Sequence, residues 1–186
     1  MSIKIYTPGV EPIAVKPVIE RRSSAFTPGR QVWNWRGWDS SFCGAEGKPK
    51  SFEEFQAWWS AHVSVWYKAV LNKSGAIPGG ERTVGLVYFR PWSKSVDEVH
   101  AIFHRSVWGT DIVNDTFRHA LKDRFASGVR KIQGTVRADN SAAASLAERA
   151  GFQLEGVLRH SVHIGAKSYH VRIYGLLPEE MEVHHG

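Results

Sequence analysis

The sequence contains very little cysteine and no long apolar run. Cys43 is the only cysteine among the 186 residues, so the chain cannot form an internal disulfide and fits a reducing compartment. No apolar stretch approaches the roughly 20 residues that a membrane-spanning helix needs. The first residues also lack the apolar core of a secretory signal. These absences predict a cytoplasmic protein with no membrane partner.

Acidic residues are fewer than basic ones. The chain has 24 Lys and Arg against 18 Asp and Glu, which gives a formal net charge of +6 at pH 7. Such a balance favours negatively charged partners: a phosphorylated cofactor, an acidic protein surface or nucleic acid. A basic surface without any specific partner is the alternative. The hydrophobic content of 42% excludes disorder for most of the chain, and the length predicts one domain over residues 1–186.

Aromatic and basic residues alternate within the first 50 residues, where the pattern is least regular. Short strands are predicted at residues 3–6 and 13–15. They precede a segment whose candidate substrate-binding or nucleic-acid-binding residues are Trp33, Trp35, Arg36 and Trp38. Indole rings can stack on bases while neighbouring cations hold phosphates. The alternative is a tryptophan-rich loop that covers one end of the core.

A regular order of elements begins at residue 51. Ser51 and Glu54 form a capping box for a helix over residues 51–62, and Phe55, Trp58 and Trp59 form its apolar face. Three strands follow, separated by turn residues, and are predicted to form an antiparallel meander: residues 63–71, 83–89 and 96–104.

The second half of the chain alternates helix and strand. Apolar spacing predicts a helix over residues 113–125, which Gly128 ends, and a strand over residues 132–136. Asn140 is a good N-cap for the alanine-rich helix that follows. Gly151 ends that helix, because glycine adopts the left-handed conformation without a Cβ clash.

An apolar contact and a hairpin complete the pattern. Phe152 is expected to pack back on Leu146 and Ala147, a contact typical of such a helix end. Two last strands are joined by a turn at residues 165–168. The core is therefore predicted to span residues 51–180, and residues 181–186 are predicted to be a frayed tail.

The closing part of the chain resembles the GCN5-related N-acetyltransferase (GNAT) superfamily. The resemblance is carried by residues 140–152, by residues 155–159 (Glu-Gly-Val-Leu-Arg) and by residues 173–177 (Ile-Tyr-Gly-Leu-Leu). It is closest to the branch that acetylates the N-termini of ribosomal proteins and small amines. It implies an α/β fold with a mixed, mostly antiparallel sheet that is split near its middle and has helices on both faces.

The resemblance also implies a reaction, the transfer of an acetyl or other acyl group from coenzyme A to a primary amine. The amine would belong to a small molecule or to a protein N-terminus. Two alternatives stay open. One is a protein of the same fold that does not use acetyl-CoA and binds or modifies nucleic acid, as the phage Mu DNA-modification protein does. The other is a catalytically inactive binding module. The oligomeric state is not indicated by any pattern in the sequence.

Titratable residues gather on one face of the strand predicted at residues 96–104. Side chains alternate along a strand, so Glu98, His100 and His104 share a face with Ile102. Deprotonating an ammonium group needs a base with a pKa near the working pH, and the resembling family places a carboxylate or imidazole on this strand. The candidate catalytic residues are His100, Glu98 and, as a proton donor, Tyr174. Their spacing matches no metal-ligand motif, so no metal is expected.

The cofactor site follows from the same resemblance. The strand backbone would hold the pantetheine arm, and a glycine-containing loop before the next helix would receive the pyrophosphate on its amides. Gly109 stands at the first glycine of that loop. Asp111 stands at the second, where its carboxylate opposes the pyrophosphate, so the loop is a degenerate version. The residues implied in acetyl-CoA binding are Ile102, Phe103, His104, Arg105, Gly109, Thr110 and Asn140.

Overall fold

The computed structural model of the protein describes residues 18–23, 33, 49–72 and 81–183. The strands in these residues are β1 (Val18–Ser23), β2 (Val65–Asn72), β3 (Glu81–Pro91), β4 (Val96–Phe103), β5 (Lys131–Arg137), β6 (Gln153–Ile164) and β7 (Lys167–Leu176). The helices are α1 (Phe52–His62), α2 (Asp111–Ala126), α3 (Ser141–Arg149) and α4 (Pro178–Val183). A 3-10 turn, Arg105–Val107, precedes α2.

The seven described strands form one sheet in the order β1-β2-β3-β4-β5-β7-β6. Every neighbouring pair is antiparallel except β4 and β5, which run parallel. The parallel pairing is short, because it extends only from Val96↔Lys131 to Glu98↔Gln133. Both strands continue past this point without pairing to each other. The predicted fold, a mixed and mostly antiparallel sheet that splits near its middle, is confirmed.

Alternation along the strands gives the sheet two apolar faces. Helix α1 covers one face with Phe55 and Trp59, both fully buried. The strand residues in that cluster are Trp66, Leu86, Tyr88 and Ile102. Helices α2 and α3 cover the other face, where the buried strand residues include Tyr67, Val87, Phe89, Val99 and Ile132. Helices therefore lie on both faces, as predicted.

Helix α1 begins where the sequence predicts. Ser51 Oγ accepts a hydrogen bond from the Glu54 amide at 3.1 Å. The Glu54 carboxylate accepts from the amide of Lys50 at 2.7 Å, one residue earlier than a capping box requires. The two bonds satisfy amide groups at the start of the helix and fix the direction in which α1 crosses the sheet.

Helix α3 ends at the predicted glycine. Gly151 has φ +100°, and its amide donates to the Glu148 carbonyl at 3.0 Å. The Phe152 amide donates to the Ala147 carbonyl at 3.1 Å, which completes a Schellman motif. The Phe152 ring is buried and stacks on Phe117 of α2 with centroids 6.0 Å apart. This helix end therefore fastens α3 to α2.

Two elements differ from the sequence predictions. Strand β1 was not predicted, because four of its six residues are polar or charged and its pairing with β2 supplies the order. The predicted frayed tail is wrong for residues 181–183, which end α4 with Met181 buried. The strands predicted at residues 3–6 and 13–15 lie outside the described residues.

Within the described part, no helix has the length and apolar character needed to cross a bilayer.

A buried ion pair ties β4 to α2 beside the parallel strand pairs. Asp97 is 2% exposed, and its carboxylate accepts a hydrogen bond from Arg124 Nε. Arg124 also donates to Ser127 Oγ at 2.9 Å, near the end of α2. The pair therefore holds the helix against the point where the two halves of the sheet join.

Replacing Asp97 with Ala should lower the free energy of unfolding by about 3–5 kcal/mol, because the Arg124 guanidinium loses its buried partner. Glu155→Ala is the matched control, since the Glu155–Lys131 pair lies at the surface and should contribute no more than about 1 kcal/mol. Urea unfolding of the three proteins measures both differences. Equal effects of the two substitutions would contradict the structural role given to Asp97.

Candidate active site

A cleft of about 150 Å³ opens where β4 and β5 part. Helices α2 and α3 line it with Phe117, Ala143, Leu146 and Ala147. The strands contribute Val99, His100, Ala101, Gly134, Thr135 and Val136. Val99 and Val136 belong to the face covered by α2 and α3, whereas His100 and Thr135 lie towards the α1 face. The cleft therefore passes through the sheet from one face to the other.

In β4, the backbone N–H and C=O groups of every second residue point towards this cleft. The His104 amide donates to the Val84 carbonyl at 2.8 Å, and the Trp92 amide donates to the Val96 carbonyl at 2.9 Å. In an antiparallel ladder such bonded pairs recur at every second residue. The even-numbered residues of β4 therefore bond to β3, and the backbone groups of odd-numbered residues point towards the split. Ala101 is the odd-numbered residue nearest the middle of the cleft.

This alternation corrects two of the predicted cofactor contacts. The backbone groups of Ile102 and His104 face β3, so neither can hold a ligand in the split. Phe103 faces the split, as its predicted role requires, but its carbonyl already accepts a hydrogen bond from Trp108 Nε1 at 2.9 Å. Ala101, which was not predicted, lines the cleft and has its backbone groups on the side of the split.

Glu98 and His100 lie side by side on the α1 face of β4, as predicted. Glu98 Oε2 is 3.2 Å from His100 Nε2 and 4.0 Å from Nη1 of Arg90. The imidazole nitrogen is not aligned for a hydrogen bond with the carboxylate. Thr135 Oγ1, across the split, is 3.4 Å from Glu98 Oε1. Tyr88 stacks on the imidazole with centroids 4.8 Å apart and planes 8° from parallel.

The surroundings of Glu98 keep its carboxyl group ionised. Burial by itself would raise the pKa of Glu98, but His100, Arg90 and Thr135 together outweigh it, and the pKa lies below its ordinary value of 4.5. A carboxylate with a lowered pKa is a weak base. Glu98 is therefore suited to attract a cation and to stabilise a charged imidazole, and His100 is better suited to accept a proton.

The loop between β4 and α2 places its predicted residues near the start of the helix. Gly109 adopts φ +74°, a conformation that favours glycine. Thr110 is the N-cap of α2, but its hydroxyl donates to the Val107 carbonyl at 2.7 Å. Asp111 is the first residue of α2. Arg105 is exposed at the start of the 3-10 turn. The amides at the start of α2 are the groups that can attract phosphates.

Asn140 and Tyr174 both line the cleft. Asn140 Oδ1 accepts the Ala143 amide at 3.1 Å, so its predicted role as a cap is confirmed and its amide nitrogen is left as the part that can meet a ligand. The Tyr174 hydroxyl donates to Glu148 Oε1 at 3.0 Å. Burial first, and then the Glu148 carboxylate, raise the pKa of Tyr174 above its ordinary value. Its hydroxyl proton is thus engaged by Glu148, which makes it a weak donor.

The predicted tryptophan-rich segment is described only at Trp33. This half-buried ring packs against Phe55 of α1, with centroids 4.9 Å apart. That contact favours a role in covering the core for this tryptophan. Trp35, Arg36 and Trp38 lie outside the described residues.

Several contributors to the site were missed by the sequence predictions. Tyr88 and Arg90 lie opposite His100 and Glu98 in the antiparallel register of β3 and β4. Both residues could have been predicted by pairing β3 with β4 residue by residue, outward from the turn that joins them. Thr135 reaches Glu98 across the split, and no local pattern gives the register between those two strands.

Comparison with known proteins agrees with this geometry. The fold and the split sheet are those of acetyltransferases, and residues 24–153 match the family described as the acetyltransferase (GNAT) domain. The chain belongs to that family. The prediction of an acetyltransferase is confirmed at this level, whereas the ribosomal-protein branch and the degenerate loop stay predictions. No protein of curated function matches the sequence.

Solved structures share the fold at low identity. The spermidine/spermine N-acetyltransferase of Vibrio cholerae is 18% identical over 92% of this chain and 100% of that one, with a TM-score of 0.68. The spermidine N-acetyltransferase of Vibrio cholerae in complex with CoA and spermine is 19% identical over 88% and 98%, with a TM-score of 0.66. An N-acetyltransferase from Staphylococcus aureus Mu50 is 17% identical over 87% and 98%, with a TM-score of 0.64. These likenesses concern the fold.

The lowered pKa of Glu98 predicts a pH-dependent contribution to stability. Because the folded pKa lies below 4.5, the contribution is fully present above that pH and disappears as the pH falls through the folded value. Glu98→Gln has no such contribution. Denaturant unfolding of both proteins from pH 7 to pH 3 should show a difference between them that changes as the pH falls below 4.5. A constant difference over the whole range would mean that Glu98 is not stabilised as a carboxylate.

Proposed function

We propose that the protein transfers the acetyl group of acetyl-CoA to a primary amine. The observation that carries this proposal is that both backbone groups and charged or titratable side chains of β4 lie at the split. Its odd-numbered residues offer backbone groups to the cleft, and Glu98 and His100 stand on its opposite face. A donor and an acceptor can thus approach the same strand from two sides.

The residues of the cleft suit the acyl end of coenzyme A. Acetyl-CoA supplies an acetyl group activated as a thioester. The Ala101 amide is placed to donate a hydrogen bond to an acyl oxygen or to the pantetheine arm. Val99, Phe117 and Leu146 provide apolar walls that exclude water. The amides at the start of α2 and the helix dipole attract the phosphates.

His100 is the proton acceptor in the proposed reaction. Primary amines ordinarily have a pKa near that of lysine, about 10.4, and are protonated at pH 7. The imidazole takes this proton, and the Glu98 carboxylate stabilises the imidazolium that forms. The freed amine attacks the acetyl carbon and the carbon–sulfur bond breaks. The nitrogen of the new amide then loses its extra proton to water, and the sulfur takes up a proton. Since Glu148 engages the Tyr174 hydroxyl, the imidazolium or water supplies that last proton.

Small cationic amines are the first acceptors to assay. The Glu98 carboxylate lies on the acceptor side of the split and attracts a cation, and two similar structures are of proteins named for spermidine. The resemblance to the ribosomal-protein branch makes the α-amino group of a peptide the second class. Mass spectrometry of reactions with spermidine and with a peptide library distinguishes the two.

Replacing His100 with Ala should lower kcat/KM by about 10²–10⁴-fold and remove the acidic limb of the pH–rate profile, because the proton acceptor is lost. Glu98→Gln should reduce the rate less and leave the limb in place. His163→Ala is the matched control, since that histidine is exposed on β6, outside the cleft. An unchanged limb in the His100 variant, with the fold intact by circular dichroism, would exclude His100 as the base.

Asp111→Asn should tighten the binding of coenzyme A several-fold, because it removes a like charge from the helix end that attracts the phosphates. Asp115→Asn, one turn further along α2 and exposed, is the control for a general change in charge. Calorimetric titrations at two salt concentrations measure both. The gain should shrink at the higher salt concentration. A weaker affinity of the Asp111 variant would mean that the carboxylate supports the loop.

A further inference from the structure

Trp92 and Trp108 have the most exposed large apolar side chains in the described residues, each 68% exposed. Trp59 and Trp66 are buried in the core instead. Trp92 lies in the turn after β3, whereas Trp108 lies in the loop between β4 and α2. Single exposed apolar side chains are ordinary on protein surfaces, so how each ring is held is more informative than its exposure.

The Trp108 ring is fixed in place although it is exposed. Its Nε1 donates to the Phe103 carbonyl at 2.9 Å. By the alternation along β4, that carbonyl points to the side of the split. The bond therefore holds the indole where β4 ends, on the edge of the strand that faces the split.

The same ring stands next to the residues that can receive phosphates. Gly109, with φ +74°, follows it directly, and Thr110 then caps α2. A ligand whose acyl end lies near Ala101 and whose phosphates lie at the start of α2 has the Trp108 ring next to its phosphates. The part of coenzyme A beyond its pyrophosphate is the nucleotide end, a purine base on a phosphorylated ribose. This part would lie beside Trp108.

We propose that Trp108 binds the adenine base of the acyl donor by stacking. The inference rests on the proposed use of acyl-CoA and assigns a binding role to a loop residue that is neither among the predicted cofactor contacts nor in the cleft lining. A purine presents a flat π-face that stacks on indole whatever its hydrogen-bonding edges. Because the Phe103 carbonyl already orients the ring, little conformational freedom is lost when the base arrives. Trp108 thereby contributes affinity for the nucleotide and none for the pantetheine arm.

The test compares two ligands on four proteins by calorimetric titration. The ligands are coenzyme A and 4′-phosphopantetheine, which has the same arm and lacks the nucleotide. The proteins are the wild type, Trp108→Ala, Trp108→Phe and Trp92→Ala. Trp108→Phe keeps an aromatic ring and loses the indole N–H, and Trp92→Ala removes an equally exposed tryptophan far from the loop. Thermal unfolding of each variant checks that the fold is kept.

Trp108→Ala should weaken the binding of coenzyme A about 5- to 150-fold and leave that of 4′-phosphopantetheine unchanged. Trp108→Phe should lie between the wild type and the alanine variant, and Trp92→Ala should match the wild type. An equal loss for both ligands would overturn the proposal, because the ring would then act on the loop and not on the base. So would an unchanged affinity for coenzyme A in Trp108→Ala. A wild type that binds neither ligand at millimolar concentration would instead refute the use of acyl-CoA itself, and the stacking role with it.

Discussion

The parallel ladder between β4 and β5 joins the two halves of the described sheet through three residue pairs. A longer ladder would close the cleft, and a shorter one would leave the halves without a shared hydrogen-bond network. The join is therefore reinforced from the side, by the Asp97–Arg124 ion pair and by the packing of α2 across it. The stability of the molecule and the opening of its candidate active site depend on the same few backbone bonds.

The ending of that ladder creates opposite environments on the two faces of β4. On the side of α2 and α3, apolar groups surround backbone amides that have no strand partner. On the α1 side, Glu98, His100 and Arg90 form a charged group that Tyr88 covers. A strand in the interior of a sheet normally has its amides paired on both edges. Here the exposed edge is what the proposed function uses, so the local loss of pairing is part of the site.

Much of the fold could be predicted from the sequence because its signals are local. The Ser51 cap, the Asn140 cap and the Gly151 stop each depend on residues within one helical turn, and each lies where it was expected. The predicted face shared by Glu98 and His100 also holds, since alternation along a strand needs no distant information. Strand β1 escaped prediction because partners far along the chain hold its charged residues in place.

The candidate site was less predictable for the same physical reason. Either the odd-numbered or the even-numbered residues of β4 bond to β3, and the others face the split. A shift of one residue in the register between β3 and β4 would therefore turn Ile102 towards the split in place of Ala101. The engagement of the Tyr174 hydroxyl by Glu148 depends on how α3 packs on β7. Contacts of this kind connect residues that are distant in the sequence, so spacing and composition carry no signal for them.

The passage of the cleft through the sheet has a consequence for the order of events. In the proposed reaction, donor and acceptor reach β4 from opposite faces, so neither blocks the path of the other and both can be held at once. Transfer in a ternary complex is then expected, and double-reciprocal plots of the initial rates should intersect, where a ping-pong enzyme gives parallel lines.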